Sequence, residues 1–466
     1  MVYLLKQMKN KSFKSVLVIP NITFQKNLEA DSFVKVMKEI IIGLDKFSSL
    51  NLWFHIPMPK YSKNLDLPNV TQYFIDFPTY PNSMRIHFNY YDWSKIIDWK
   101  NQDFDIIYSH LPEQTINVTN LISNTTNIGM LPIVGYCHWF EISQITEYDK
   151  NCLLNNINGV LEMEECGVNT QNQIDMVIDN VKDIYSEKTI ARLKEIMKPH
   201  YLGVQSEDVV DKLSGYEKII VFNHRPQAYK DFPNFMKIMD KLWEQRQDFK
   251  VWIPLLDKPN APYVITDSFE KEGYYNFLKK CCVGFAPKQK YGGWSVAVTD
   301  GIMNGCPYVF YEADYYKELI GEKSEFFRDN EEAITLLNLA LDNKEYREQV
   351  ITNQLEYCKK NMTWEKRIPV ISDMITKALD TVKPIVKGER KDDIIAFIKK
   401  NKQVTKSQIL KHLGWGVGIK FASYRKFVID HPNIVTKKFI NHPTQLFEGN
   451  FHNKQIEYYV CEENKK

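Results

Sequence analysis

Short apolar runs alternate with longer stretches in which apolar residues return every third or fourth position, and this alternation organises most of the chain. SVLVIP at 15–20 is too short for a helix and too continuously apolar for a surface strand, so it predicts a buried strand. A polar turn follows. Then comes SFVKVMKEIIIGL, whose apolar positions share one helical face. NLWFHIP at 51–57 repeats the strand signal. FDIIYSH (104–110) and LPIVGYCHW (131–139) end in polar residues where a strand would meet a loop, and EQTINVTNLISNT between them predicts a crossover. Strands separated by helical segments predict a doubly wound α/β domain with ligand groups at the strand carboxyl ends.

The same alternation restarts near 217. EKIIVFNHR predicts a strand entering a polar loop, DFPNFMKIMDKLWEQR a helix with an apolar stripe, and KVWIP at 250–254 another strand. YYNFLKKCCVGFAP predicts a helix and a short strand, and PYVFYE a further strand. YKELI, EFF and helices near 331–343 and 345–360 complete the unit. Two α/β units with a cleft between them are therefore expected, at 1–205 and 206–384.

The remainder reads differently. KDDIIAFIKKN (391–401), TKSQILKHLG (405–414, with Thr405 available as cap) and IKFASYRKFVIDHP (419–432) predict three short helices. NIVTKKFI and QIEYYV look like strands. Helices followed by strands resemble a winged-helix unit over 385–466, with the turn GWGVG leading into the helix that carries Lys420, Arg425 and Lys426. Charge sets this segment apart too. From Lys387 to Lys466 there are 16 Lys and Arg against 8 Asp and Glu, net +8, whereas 1–386 carries 44 against 50, net −6. A basic module on a mildly acidic body is a candidate nucleic-acid binder, or a capping domain whose charges are only solvated. Within it, Trp415, Tyr424 and Phe427 are expected in the core rather than stacked on bases.

At 466 residues, 44% apolar and 13% aromatic, the chain predicts packed globular structure in two or three domains. No apolar run is long enough to span a membrane, and the N-terminus carries no secretory-signal pattern. Eight cysteines without CxxC spacing predict buried thiols in a reduced, cytoplasmic setting.

Two segments carry candidate chemistry. FNHRPQAYKDFPNF places Arg225 and Lys230 five residues apart across a turn after a strand, where both can grip one anion. The alternative is two solvated surface charges. YGGWSVAVTDGIMNGCPYVF, 291–310, opens with Gly292 and Gly293, which permit close backbone approach, and sets Asp300 among apolar residues of a helix. A carboxylate there needs partners, such as the vicinal hydroxyls of a ribose, unless it points to water on the helix back.

This second segment resembles the EGFGxxxxEAMAxGxPVV stretch of the large family of retaining glycosyltransferases built from two Rossmann-like domains, the GT-B fold. It aligns without a gap: Asp300 takes the place of the second glutamate, and Gly305-Cys306-Pro307 matches the GxP turn. The resemblance implies that Asp300 holds the nucleotide ribose, and that Arg225 and Lys230, matching the family's R-x4-K, contact the donor diphosphate. FDIIYSH resembles the strand end that places His110 at the cleft, and GYCHWFE the segment that places His138 beside the donor sugar. Both histidines also fit a structural role at strand ends. Two departures stand out. The family's first glutamate falls on Gly292, so the backbone amides of Gly292 and Gly293, Trp294 or a nearby acid from another loop would take its work. The loop after VLVIP lacks paired glycines, leaving Lys26 and Asn27 there.

The resemblance further implies a UDP-linked sugar, glucose, as donor and front-face attack with retention. Arg225 and Lys230 would stabilise the leaving diphosphate while His138 positions the sugar, and no metal is required. A basic tail on such an enzyme, as in bacteriophage DNA-modifying glucosyltransferases, implies DNA as acceptor. The target would be a flipped hydroxymethylated pyrimidine, and Lys420, Arg425, Lys426, Lys437 and Lys438 would hold phosphates. Such a protein would work in the cytoplasm of a bacterial host. The rival readings are transfer to a cell-surface polysaccharide or lipid, and a non-enzymatic DNA-binding protein on a decayed transferase fold.

Overall fold

The structure is a computed structural model, and it describes residues 13–22, 32–60, 62–75, 88–96, 104–125, 131–143, 146–204, 210, 215–291, 295–381, 397, 400, 404–405, 436–445 and 451–460. The first unit is a seven-stranded parallel sheet in the order β3-β2-β1-β4-β5-β6-β7. Its strands are β1 Lys14–Ile19, β2 Leu52–Pro59, β3 Val70–Ile75, β4 Ile106–Ser109, β5 Ile133–Cys137, β6 Glu165–Val168 and β7 Met197–Pro199. The second unit is a six-stranded parallel sheet in the order β10-β9-β8-β11-β12-β13. It is built from β8 Glu217–Val221, β9 Lys250–Trp252, β10 Val264–Ile265, β11 Cys281–Ala286, β12 Tyr308–Tyr311 and β13 Glu325–Phe327. In both sheets the chain runs outward from a central strand, returns to its other side and runs outward again. That doubly wound order creates a crevice at the strand carboxyl ends between β1 and β4, and between β8 and β11. The architecture is two Rossmann-like domains facing one another, the GT-B arrangement.

The strands are nearly solid apolar runs because helices cover both sheet faces: all four residues Val16 to Ile19 are at most 1% exposed, and β11 is buried throughout. The helices are α1 Ser32–Phe47, α2 Tyr90–Ile96, α3 Pro112–Thr125, α4 Glu147–Val160, α5 Gln171–Val181 and α6 Glu187–Ile196 in the first unit. α7 Phe232–Gln245, α8 Lys271–Leu278, α9 Val296–Met303, α10 Asp314–Ile320, α11 Asn330–Asp342 and α12 Lys344–Asn361 follow in the second. Polar residues start several of them. Thr146 and Asp149 form a reciprocal capping box on α4, and Asp329 accepts two backbone N–H groups at the start of α11.

The last helix of the body, α13 Trp364–Thr381, falls within the range expected for the second unit and packs into the first. Trp364, Ile368, Ile371 and Ile375 join Val16, Phe33, Ile40 and Phe54 in one core. The crossing is pinned where the two chain passes meet: Val204 N–H donates to Met362 O at 2.8 Å, and Trp364 N–H to Val204 O at 3.0 Å. A second tie holds the units face to face. The Glu318 carboxylate of α10 accepts the backbone N–H groups of Gln171 (2.7 Å) and Asn172 (2.8 Å) at the start of α5. An acid at a helix N-terminus meets unpaired donors and a favourable dipole.

In the basic C-terminal segment the described backbone is a three-stranded antiparallel sheet, β14 Val404–Thr405, β15 Thr436–Gln445 and β16 Phe451–Val460, ordered β14-β16-β15. The two strands expected at 433–440 and 455–460 are present but longer, and β14 was not expected. Thr405, read as a helix cap, pairs with Tyr458 in this sheet, with the extended backbone that a capping residue also has. Phe397 and Lys400 are helical; the rest of the three expected helices lies outside the described residues, and with it Trp415, Lys420, Tyr424, Arg425, Lys426 and Phe427. Seven of the eight cysteines are buried thiols, and Cys461 lies outside the described residues.

Candidate active site

At the crevice of the second sheet, β8 ends at Val221 and delivers Asn223, His224 and Arg225 in sequence. Asn223 is the anchor. Its Nδ2 donates to Ala297 O (2.7 Å) in the first turn of α9 and to the Tyr274 hydroxyl (2.9 Å), and its Oδ1 accepts from the Tyr308 hydroxyl (2.9 Å). This buried, satisfied network fixes the start of α9 relative to the end of β8. Tyr308 reaches the network because Gly301 and Gly284 leave room for its ring, each lacking a Cβ that would come within 2.3 Å of it. Gly305 takes φ +83°, the left-handed conformation that the Gly-Cys-Pro turn needs to bring the chain from α9 into β12.

After Arg225 the chain forms a short turn of 3₁₀ helix, Ala228–Lys230, and then Asp231 adopts φ 53°. Asp tolerates that left-handed conformation at modest cost. The turn folds Lys230 back toward the strand end, where its Nζ donates to Gln289 Oε1. Burial, and then the nearby Arg225 guanidinium, pull the Lys230 ammonium down to about 8. His224, 3% exposed, is pulled down to about 3 by burial and then by Lys230, and is neutral. Arg225 itself is exposed and Lys230 half-buried, and the guanidinium lies close enough to act on the ammonium.

Asp300 lies one turn along α9, half-buried, and lines a cavity of about 90 Å³ between the two units, with Thr299, Lys271 and Tyr275 on one side and Lys35 and Glu39 of α1 on the other. It does not sit on the water-facing back of its helix. Burial, and then the Asp300 carboxylate, push the Tyr274 hydroxyl well above its ordinary value, so Tyr274 stays protonated beside it. Gly292, Gly293 and Trp294 lie outside the described residues.

Facing this, His110 follows β4 and His138 follows β5. The rings lie 5.7 Å apart and nearly parallel, within an aromatic cluster that includes Phe33, Tyr108 and Tyr136. His110 is fully buried, and burial, then His138, hold it well below the ordinary imidazole value; burial takes His138 down to about 4. Both are neutral, and neither Nε2 has a hydrogen-bond partner among the described residues. Asn169 fixes the loop by donating to His138 O (2.8 Å) while accepting from the Tyr136 hydroxyl (2.7 Å). The histidine pair and the cationic pair belong to different units, and Trp139 meets Tyr291 edge-on across the cleft at 6.2 Å between them. Trp139 is 37% exposed, and its indole N–H donates to Glu141 (3.3 Å).

Arg225, Lys230, Asp300, His110 and His138 stand out in the sequence, whereas Asn223, Gln289, Tyr274 and Trp139 do not. Asn223 and Gln289 each follow the end of a central strand, so the strand-end rule would have found them. Tyr274 had no signal, because its role depends on a helix packing beside α9. Lys437 and Lys438 sit on β15, opposite Tyr459 and Tyr458 of β16, in a sheet separate from the two that carry these groups. Among the described residues no group of three His, Cys, Asp or Glu side chains is arranged to hold a metal ion, and no helix is long and apolar enough to cross a membrane.

No protein-family model matches the sequence, and no curated protein matches it either. Solved structures do. The chain is similar to Anabaena HepE, solved in complex with UDP and glucose, at TM-score 0.56 and 10% identity over 80% of this chain and 100% of that one. It is similar to a UDP-forming α,α-trehalose-phosphate synthase from Burkholderia vietnamiensis at TM-score 0.52 and 11% identity, again over 80% and 100%. The match to TarM spans 54% of that chain at TM-score 0.45 and carries no weight. At these identities the likeness concerns the fold, and it bears out the two Rossmann-like domains.

Proposed function

We propose that the chain is a glycosyltransferase that takes a sugar from a UDP-linked donor, with the diphosphate held at the β8/β11 crevice. The observation that carries this reading is the Arg225 guanidinium near enough to act on Lys230, whose ammonium is bonded to an amide, with no carboxylate acting on it among the described residues. Two neighbouring cations and the N–H groups of a helix N-terminus suit a polyanion, and a diphosphate above all. Asp300 in the adjoining cavity takes the ribose hydroxyls. As the glycosidic bond breaks, Arg225 and Lys230 stabilise the charge growing on the leaving diphosphate, which accepts the proton of the attacking hydroxyl. His138, neutral and half-buried at the end of β5, suits an uncharged polyol and positions the transferred sugar, while the fully buried His110 packs behind it and supports its ring. HepE with UDP and glucose, and the UDP-forming synthase, make the same donor chemistry the natural expectation for this fold.

For the acceptor, the favoured reading is a carbohydrate hydroxyl, on a polysaccharide or a glycolipid. An exposed indole beside His138, with the Glu141 carboxylate next to it, is apt for a sugar face with hydroxyl donors, and Glu141 disfavours a phosphate-rich strand at the same place. A second reading has its own observation. In the basic segment the first short strand pairs with the last and not with the middle one, β14-β16-β15, as in a winged helix, and this supports a DNA acceptor such as a hydroxymethylated pyrimidine. A decayed, purely DNA-binding protein would have had no reason to keep Arg225, Lys230 and Asp300 in this arrangement. The test is to offer UDP-glucose with either oligosaccharides or duplex DNA containing 5-hydroxymethylcytosine, and read products by mass. Added hexose on the oligosaccharide supports the first reading, hexose on the nucleoside the second, and intact donor in both rejects the transferase.

A further inference from the structure

The nearest partner of Lys230 is an amide. Gln289, 6% exposed, follows β11 by three residues, and every polar atom of its side chain is engaged. Its Oε1 accepts from Lys230, its Nε2 donates to the Tyr316 hydroxyl (2.8 Å), and its backbone N–H donates to the Tyr315 hydroxyl (2.8 Å). The Tyr316 hydroxyl in turn donates to Pro287 O (2.9 Å), so the loop after β11 is clamped onto α10 by two buried tyrosines. The groups facing the ammonium are Arg225 and His224 from the loop after β8, the Tyr229 ring 5.3 Å from Nζ, and Gln289 with its tyrosines. Asp231, the next residue, interacts with Lys237 and Lys288 instead. Among the described residues, no carboxylate is one of the groups that act on Lys230.

We infer that Gln289 is a positioning residue for donor binding: it aims the Lys230 ammonium at the diphosphate site and, being an amide, leaves its charge uncompensated until the diphosphate arrives. The inference rests on the donor reading above. A carboxylate at 289 would aim the ammonium equally well but would satisfy it permanently, so the diphosphate would have to compete. An amide orients through one lone pair and adds no charge. Before ligand binds, the half-buried Lys230, held near pH 8, shares its surroundings with Arg225, and binding the diphosphate favours the protonated form. Binding above about pH 8 therefore draws one proton from solvent onto Lys230.

The test is calorimetric titration of the full chain with UDP from pH 7 to 9.5, where UDP has already lost its last phosphate proton (second pKa about 6). Wild-type affinity should be flat up to about pH 8 and then fall about tenfold per unit as the empty site loses its proton. Gln289→Glu should bind UDP about tenfold more weakly at pH 7 and move the fall to higher pH, because the new carboxylate favours the ammonium. Gln289→Met, which removes the acceptor, should move the fall to lower pH. Opposite displacements are not what a merely structural role would give. Should those variants not fold, Tyr316→Phe removes the hydroxyl that tethers the Gln289 amide, and should weaken UDP severalfold with a fall at lower pH. Wild-type binding with an unmoved fall in the folded variants would overturn the inference and leave the donor reading standing. Absence of UDP binding by the wild type would overturn both.

Discussion

At the scale of single residues, the site is built from side chains whose charge is set by burial. Lys230 is half-buried beside a guanidinium, while His224, His110 and His138 are too desolvated to be charged. Of these groups, the charged one lies on the β8/β11 side and the histidines after β4 and β5 are neutral. Replacing Arg225 or Lys230 with alanine should each weaken UDP about 10- to 100-fold, the usual range for one hydrogen bond to a charged group, with little change in thermal stability. Titration with UDP and a melting curve on the same samples check both parts. The spacing of Arg225 and Lys230 and the lone acid Asp300 were legible in the sequence. The state of those charges was not, because desolvation depends on α10 and the loop after β11, which the local sequence does not show.

At the scale of elements, strand order makes the site and buried polar links hold it in register. The Tyr308 hydroxyl bonded to Asn223 ties β12 to the end of β8 and the start of α9. Tyr308→Phe keeps the ring between Gly284 and Gly301 but leaves Asn223 Oδ1 buried without its donor. That variant should lose about 1–3 kcal/mol of stability in urea unfolding, and UDP affinity should fall with it as α9 loses its anchor. Most strands and the helices of the second unit were readable from apolar runs and periodicity. α4, β6 and α5 were not. EYDKNCLLNNINGV is rich in asparagine, and its apolar residues make only a weak stripe, whereas ECGV is too short to stand out. α13 escaped for another reason: its apolar face belongs with α1, more than 300 residues earlier in the chain, and its Pro369 is an unfavourable helix-interior residue.

At the scale of the molecule, two doubly wound sheets are joined by α13, by the Val204 crossing and by Glu318 on the start of α5, with the candidate site between them. Three buried imidazoles and the half-buried His138 make this body sensitive to acid. His55 and His138 are lowered to about 4, His224 to about 3, and His110 well below its usual value. Their folded-state values lie below the unfolded value of about 6.5. The stability they contribute is therefore complete above that pH and is lost as pH falls toward 4, where the unfolded chain binds protons that the folded one refuses. Each should cost about 1.4 kcal/mol per pH unit in that window, so melting curves between pH 7 and 4.5 should show a steep, cooperative loss. A flat profile over that range would contradict the buried, neutral state of the histidines. The basic C-terminal segment was legible as a separate module from its charge alone, and its first strand was missed because two residues carry no periodicity.

The central claim is that the crevice between β8 and β11 binds a UDP-sugar and supports its cleavage. The most direct measurement is UDP release from a panel of UDP-hexoses by the full chain, compared with Arg225→Ala under the same conditions. The account predicts release from at least one donor, lowered about 100-fold or more in the variant, because in the proposed reading Arg225 would face both the bound diphosphate and the charge that grows as it leaves. Release that is undiminished in Arg225→Ala, or a chain that neither binds nor cleaves any UDP-hexose, would contradict it.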